Sequence, residues 1–309
     1  MSIQDIVRRH IQVDFASVRA AKVGLVLGGL SFVFIIGGYA LASRFGLLFG
    51  FLAALSVNSL VFFYADLRLA SLFPGRVLEG QDPWGLLRVT KELARRAQIP
   101  CPSLKLIKSH TPLAFSAGLL PTRSTIAIST ALVSKFTEQE LRIVIAYEIH
   151  RLKTQATAAS TAASALVGFI TLLAKFIDDI LLLRFMTRWS ARVRERRARF
   201  LRHGGVSNGP MTLLVSPLVA LLVRLSVSRR SIFEADLAAR DLANVDSGLV
   251  ARTLWKLDSF VKTRPFPVNL AEAHLFIVSP LARYPFWTFA SAQPSTASRL
   301  KNLTGHAPL

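Results

Sequence analysis

Residues 146–151 carry the side chains whose types and spacing could do chemistry. Tyr147 and Glu148 are adjacent, and Arg151 lies three residues beyond the glutamate. In the pattern H-E-x-x-H, two histidines with this spacing lie on one face of a helix and hold a zinc ion. The glutamate between them acts as general base on a zinc-bound water. Glu148 keeps the position of the base, whereas Tyr147 and Arg151 occupy the two histidine positions.

The other possible ligands offer only an irregular metal site. On a helix, His150 lies on the side of Tyr147 that is away from Arg151, off the axis of the usual ligand pair. A rescued site would combine His150, Glu234 and His110, whereas a histidine satisfied by a neighbouring polar group needs no metal. No pair of nucleophile and base that would indicate a serine or cysteine hydrolase is apparent.

The helix that carries these residues has a clear predicted start. Thr137 and Glu140 form a capping-box pattern, so the helix begins there. Asp82 followed by proline predicts the start of an earlier helix. Three β-prone runs bounded by proline and glycine predict a small sheet: residues 103–107, 113–117 and 125–129. The predicted fold class is therefore mainly α with a small β-sheet (α+β).

The composition indicates a membrane protein. Hydrophobic residues make up 52% of the 309 residues, which is more than an ordinary soluble domain contains. Residues 23–42 and 45–65 are free of charge, and each run is long enough to cross a bilayer as a helix. Basic residues flank both ends of this predicted hairpin, which places both ends in the cytoplasm. The single cysteine, Cys101, excludes an internal disulfide framework.

A second apolar pair, residues 156–174 and 204–223, follows the helix. Eight arginines lie between its members, from Arg184 to Arg202. If both runs span the bilayer, the arginine-rich loop lies outside the cytoplasm, although basic loops usually lie on the cytoplasmic side. The two runs therefore either span the bilayer despite this positive-inside rule, or enter the bilayer and return to the same side. The net charge of +20 favours contact with the lipid bilayer and its anionic headgroups near these arginines. Nucleic acid is not expected as a partner, because no nucleic-acid-binding motif accompanies them.

Several further motifs flank the helix that carries Tyr147, Glu148 and Arg151, which we call the signature helix. They are residues 111–118, 124–130, 228–236, 274–280 and 293–300. In this order and spacing the chain resembles the HtpX family of membrane-embedded zinc metallopeptidases, over roughly residues 20–303. The resemblance implies a gluzincin-like peptidase domain on a multi-helix membrane anchor. The predicted segments are the hairpin at 1–75, the first part of the domain at 76–155, the second helical pair at 156–227 and the second part of the domain at 228–309.

The same resemblance implies the roles of the site residues. The zinc ligands of the family correspond to Tyr147, Arg151 and Glu234, and a further family histidine corresponds to Gln293. Three histidines are replaced at once, which predicts that no zinc is bound and that Glu148 has lost its catalytic role. We expect Arg151 to form a salt bridge with Glu234 in place of the metal, with Glu148 or Tyr147 close by.

The resemblance also suggests where a peptide would bind. In peptidases of this broad class, an edge strand before the metal helix pairs with extended substrate by β-augmentation. The candidate edge consists of Thr125, Ile126, Ala127, Ile128 and Ser129. An ordinary core strand is the alternative interpretation of these residues.

Three functions compete at this point. The first is a pseudoprotease of the bacterial cytoplasmic membrane, with its domain on the cytoplasmic side. It would bind unfolded or membrane polypeptides, or regulate a membrane protease or chaperone, in protein quality control. The second is an active zinc metalloendopeptidase with non-standard ligands. The third, a channel or transporter component, requires ionisable residues that face one another within the spans, and these spans are nearly free of them.

Overall fold

The computed structural model describes part of the apolar N-terminal segment and most of the polar domain. The described residues are 28–29, 31–59, 75–80, 82–118, 122, 124–158, 228–263, 266, 273–280 and 293–305, with scattered positions at 160–178 and 210–221. The stretch from Arg184 to Arg202 lies outside them. The lipid contacts of that stretch therefore stay a prediction, as do the four segment boundaries.

The polar domain is mainly α-helical, as predicted. Its helices are α1 (Leu86–Ala97), α2 (Thr130–Lys135), α3 (Glu138–Lys153), α4 (Arg229–Ala243), α5 (Ser247–Thr263) and α6 (Thr296–Thr304), and Ala273–Leu275 form a 3₁₀ turn. Residues from both polar segments, 76–155 and 228–309, contribute to one hydrophobic core around α3. The signature helix is therefore surrounded by elements that lie far from it in the sequence.

Helix α3 begins where the sequence predicts. The Thr137 hydroxyl accepts a hydrogen bond from the Glu140 backbone at 3.3 Å, and the Glu140 carboxylate accepts one from the Thr137 backbone at 2.8 Å. This reciprocal capping box satisfies N–H groups that have no partner inside the helix. Apolar residues occupy most sides of the helix, and Ile145 and Ile149 have no exposed surface. Because α3 packs into the core of the domain, the polar side chains of Tyr147, Glu148 and Arg151 are buried as well.

Helix α1 starts a few residues later than Asp82 and Pro83 predict. The Asp82 carboxylate accepts hydrogen bonds from the backbone of Leu86 and Leu87 at 2.8 and 2.7 Å, so it still satisfies the first turn. The intervening Gly85 has a φ of 66°, a left-handed conformation that costs glycine little. The acidic side chain therefore reaches the helix across a turn.

Four short strands form the sheet. They are β1 (Gly75–Val77), β2 (Ser103–Ile107), β3 (Ala114–Ala117) and β4 (Thr125–Ser129), in the spatial order β1-β2-β4-β3. β4 runs parallel to β2 and antiparallel to β3. The prediction that residues 125–129 are the edge strand is wrong, because both sides of β4 are paired. β-prone composition identifies a strand and does not fix its neighbours, and the structure places β3 at the edge instead.

The apolar N-terminal segment reverses direction. In the described part of the chain, Ser31–Ser59 is the one helix long and apolar enough to cross a membrane. The Asn58 side-chain amide donates to the Ser31 hydroxyl at 2.9 Å, whereas a straight helix would separate these residues by about 40 Å. The chain therefore turns near Ser43, whose φ is 50°. The described part of the predicted hairpin is a pair of antiparallel arms.

Glycines allow the two arms to approach closely. Gly38 contacts the backbone of Gly46, and Gly50 contacts the backbone of Phe34, so a side chain at either glycine would collide with the opposite arm. Small residues at such contacts suit helix packing within a membrane. The outer surface of the hairpin is apolar, with Leu41 89% exposed. An exposed apolar surface of this kind indicates contact with lipid or with another protein.

Candidate functional site

Glu148 lies in a network of hydrogen bonds at the centre of the domain. Its side chain is fully buried on α3. The Ser116 hydroxyl, on the edge strand β3, donates to one carboxylate oxygen at 2.5 Å and lies 2.7 Å from the hydroxyl of Thr157. Burial raises the pKa of Glu148, against the opposing effects of Arg151 and Ser116, which favour the charged form. The side chains of Ser116 and Arg151 therefore stabilise the buried carboxylate of Glu148.

Arg151 is the cation of this network. Its Nη1 atom lies 3.2 Å from the Glu148 carboxylate, one helical turn away, and the Arg151 side chain is 8% exposed. The same atom donates to the carbonyl oxygen of Leu275 at 2.6 Å, and Nη2 lies 3.5 Å from the Ser160 hydroxyl. Arg151 thereby joins α3 to residues 273–278, which we call the strap.

The predicted salt bridge between Arg151 and Glu234 is wrong. The structure pairs Arg151 with Glu148, and Glu234 accepts a hydrogen bond from Arg230 at 2.9 Å. The Glu234 side chain is 33% exposed, so water stabilises much of its charge. Glu148 has no such access to water, and a fully buried carboxylate needs a close cation or a proton. Arg151 therefore lies beside the more deeply buried of the two carboxylates.

Gln293 also binds the strap. Its side-chain amide donates to the carbonyl oxygen of Phe276 at 2.7 Å and lies 3.4 Å from that of His274. Arg151 binds the carbonyl of Leu275, which lies between them in the sequence. Arg151 and Gln293 thus donate hydrogen bonds to the carbonyl oxygens of two consecutive residues of the strap. These are two of the three positions at which the resemblance implies histidines.

His274 is a buried polar side chain of the strap. Its Nε2 atom lies 3.0 Å from the carbonyl oxygen of Ser160, so this nitrogen carries the hydrogen and donates. Among the described residues, no group forms a hydrogen bond with its Nδ1 atom. Burial lowers the pKa of His274 to about 4, so the ring is neutral at neutral pH.

We expect His274 to make the fold sensitive to acid. Its pKa in the folded state lies below the ordinary value of 6.5, so the unfolded chain binds more protons between about pH 6.5 and pH 4. Stability is therefore lost as the pH falls through this window, by about 3 kcal/mol at its lower end. Thermal unfolding of the full chain in detergent should show a smaller acid shift for His274→Gln than for the parent. The exposed His110 supplies the control variant His110→Gln, and a full acid shift in His274→Gln would contradict the prediction.

The match to a known family places this arrangement among peptidases. Peptidase family M48 matches residues 85–307, a span that includes α1, the strands β2 to β4, α3 and the strap. This chain belongs to peptidase family M48. It shares with that family most of its length, including both polar segments of the domain.

Sequence alignments with known relatives cover most of this M48 chain. A protease HtpX homolog of Pelotomaculum thermopropionicum is 30% identical over 287 residues, covering 93% of this chain and 98% of that protein. A protease HtpX homolog of Aquifex aeolicus is 28% identical, covering 87% of this chain and 85% of that protein. The crystal structure of S. mikatae Ste24p aligns with a TM-score of 0.47 and 16% identity, over 98% of this chain and 66% of that one. The sequence relatives confirm the predicted HtpX-type family, which is a metallopeptidase family.

Tyr147 and Arg151, at two of the positions where the resemblance implies zinc ligands, do not suit a zinc ion. The guanidinium of Arg151 has no lone pair to give to a metal ion. Burial raises the pKa of Tyr147 to about 12, which keeps its hydroxyl protonated. In the described ranges, no group of three or more His, Cys, Asp or Glu side chains is placed to hold a metal ion. His150, Glu234 and His110 are accordingly not brought together as a ligand group among the described residues.

A second buried ion pair in the M48 domain was not predicted from the sequence. Arg299 on α6 is buried and donates to both carboxylate oxygens of Asp236 on α4, at 2.9 and 2.5 Å. It also donates to the carbonyl oxygen of Ile277 at 2.6 Å, and its guanidinium carbon lies 5.4 Å from the ring centre of Tyr147. Asp236 and Arg299 both lie in motifs that carry the resemblance, and that was the available signal. Arg299 connects α6, α4 and the strap.

Proposed function

We propose that this protein is a membrane-embedded, non-hydrolytic HtpX homologue. It is a pseudoprotease that acts as a peptide-binding or regulatory scaffold in membrane protein quality control. The observation that carries the proposal is the guanidinium of Arg151, 3.2 Å from the carboxylate of Glu148. Peptide hydrolysis in this family needs a carboxylate that takes a proton from a metal-bound water. In this chain the carboxylate faces the guanidinium of Arg151, which donates hydrogen bonds and has no acceptor atom.

The protein lies in the membrane, and its partners are other polypeptides. The apolar hairpin anchors the chain in a bacterial cytoplasmic membrane, and its basic flanks favour a domain on the cytoplasmic side. The arginines between Arg184 and Arg202 contact anionic headgroups. The partners are unfolded or membrane polypeptides, or a membrane protease or chaperone. Reporter fusions at the N-terminus and within residues 82–118 test the orientation.

Metal content and proteolysis of the purified full chain test the loss of activity. We expect elemental analysis to find far less than one zinc per chain, because Tyr147 and Arg151 cannot replace two imidazoles. We also expect no cleavage of unfolded casein, with the HtpX homolog of Aquifex aeolicus assayed beside it as the reference.

Two variants make this test decisive. Tyr147→His with Arg151→His supplies imidazoles at the two positions where the resemblance implies histidine ligands and serves as the control for zinc binding. One zinc per parent chain, together with casein cleavage that Glu148→Gln abolishes, would contradict the proposal. That result would favour an active zinc metalloendopeptidase with non-standard ligands.

A further inference from the structure

Strand β3 has one side that another strand could pair with. Its inner side pairs with β4 from Ala114 to Ala117. The outer side of an edge strand presents N–H and C=O groups that can hydrogen-bond to an added strand. Extended peptides bind such edges through their backbones. What lies against the outer side of β3 therefore decides whether a peptide can bind there.

The strap lies against this outer side. Phe276 forms an antiparallel bridge with Phe115 of β3. The two rings meet edge to face, with their centroids 5.2 Å apart. Leu275 and Phe276 are both buried. Within the described residues this is the one bridge outside the named strands, so the strap meets β3 at a single residue pair and forms no ladder.

Side chains hold the strap in place. Three consecutive backbone carbonyls of the strap each accept a hydrogen bond from a side chain: Leu275 from Arg151 at 2.6 Å, Phe276 from Gln293 at 2.7 Å and Ile277 from Arg299 at 2.6 Å. The Arg299 contact is fixed, because Asp236 holds the same guanidinium through two hydrogen bonds. His274 of the strap also donates to the carbonyl oxygen of Ser160 at 3.0 Å. The Arg151 and Gln293 contacts are the ones that can be removed while the buried pair of Arg299 and Asp236 stays intact.

The Arg151 contact is connected to β3 itself. Ser116 of β3 donates to Glu148 at 2.5 Å, Glu148 binds Arg151 at 3.2 Å, and Arg151 binds the Leu275 carbonyl at 2.6 Å. Hydrogen bonds that involve charged groups are stronger than neutral ones, and linked bonds polarise one another. A continuous line of such bonds runs from the edge strand to the strap.

We propose that the strap is a built-in occupant of the β3 edge, latched by Arg151 and Gln293, and that an extended peptide binds this edge only when the strap is released. An incoming peptide can form a ladder on the four residues of β3, where the strap forms one bridge. The inference rests on the proposed function in one respect, namely that the peptide is bound without being cut.

Two release variants test the latch. Gln293→Ala removes one contact, and Arg151→Met with Glu148→Gln removes the other without leaving a buried unpaired carboxylate. We expect amide hydrogen exchange of residues 273–278 to become about tenfold faster in each, as the loss of one charge-assisted or two neutral hydrogen bonds predicts. A fluorescent, valine- and threonine-rich ten-residue peptide should bind each variant at least tenfold more tightly, measured by anisotropy.

The matched control is Arg142→Met. Arg142 also lies on α3 and binds a glutamate and a backbone carbonyl, those of Glu92 and Ala243, away from the strap. This variant should match the parent in hydrogen exchange of the strap and in peptide binding. Release variants that exchange no faster than Arg142→Met would overturn the latch.

A reversible lock provides a second test. Phe115→Cys with Phe276→Cys, in a Cys101→Ser background, joins two bridge partners whose Cα separation suits a disulfide. Combined with Gln293→Ala, the oxidised form should not bind the peptide and the reduced form should bind it. Equal binding by both forms would refute the latch. Neither test measures cleavage or zinc, so failure here is distinguishable from failure of the proposed function.

Discussion

Replacing Arg299 with methionine is expected to lower the free energy of unfolding by about 3–5 kcal/mol. The side chains of Asp236 and Arg299 are 0% and 2% exposed, so the variant leaves a carboxylate in the core without its cation. It also removes the donor to the Ile277 carbonyl. Urea unfolding of the full chain in detergent, followed by tryptophan fluorescence, measures the loss.

Arg230→Met is the matched control for this prediction. The Nε atom of Arg230 lies 2.9 Å from Glu234, the same distance that separates the Nε atom of Arg299 from Asp236. The surface pair is open to water, so its loss should cost less than about 1 kcal/mol. Arg299→Met with Asp236→Leu should recover much of the stability, because no buried charge remains. Equal losses in the two single variants would show that burial does not set the effect.

Replacing Arg151 with methionine should cost a similar amount, about 3–5 kcal/mol, and Glu148→Gln should return part of it in the same chain. The single variant leaves the fully buried Glu148 without its cation. Glutamine carries no charge and can still accept the hydrogen bond from Ser116. The two substitutions should therefore couple, with an interaction energy on the order of 1–3 kcal/mol. A double-mutant cycle measured by urea unfolding gives this coupling.

A second cycle on the same helix calibrates the first. Arg142 binds Glu92 through two hydrogen bonds, at 2.9 and 2.7 Å, but the side chains are 21% and 34% exposed. Arg142→Met and Glu92→Gln should couple by less than about 1 kcal/mol. Strict additivity of Arg151→Met and Glu148→Gln would mean that the buried pair does not stabilise the site in place of a metal.

Elements set by neighbouring residues were predictable from the sequence. The capping box of Thr137 and Glu140 fixed the start of α3, because its two hydrogen bonds join residues three apart. The three β-prone runs became β2, β3 and β4, since strand propensity and bounding turns are local signals. The mainly α class with a small sheet followed from these elements.

Pairings between distant residues were not predictable. Composition did not show that β4 lies between β2 and β3, because an inner strand and a buried edge strand both read as short apolar runs. The ion pair of Arg299 and Asp236 joins residues 63 apart in the sequence. Its position depends on how α4 and α6 pack, and no local pattern encodes that packing.

Some features of the candidate site were also predictable from the sequence, and others depended on the tertiary structure. The sequence by itself determined that a tyrosine and an arginine, Tyr147 and Arg151, stand where the resemblance implies histidines, because residue identity does not depend on folding. Only the tertiary structure decided that Arg151 faces Glu148 and the strap and that Glu234 faces Arg230. The reason is that the need of a carboxylate for a cation increases with its burial. Burial at each position is set jointly by all the elements that pack around α3.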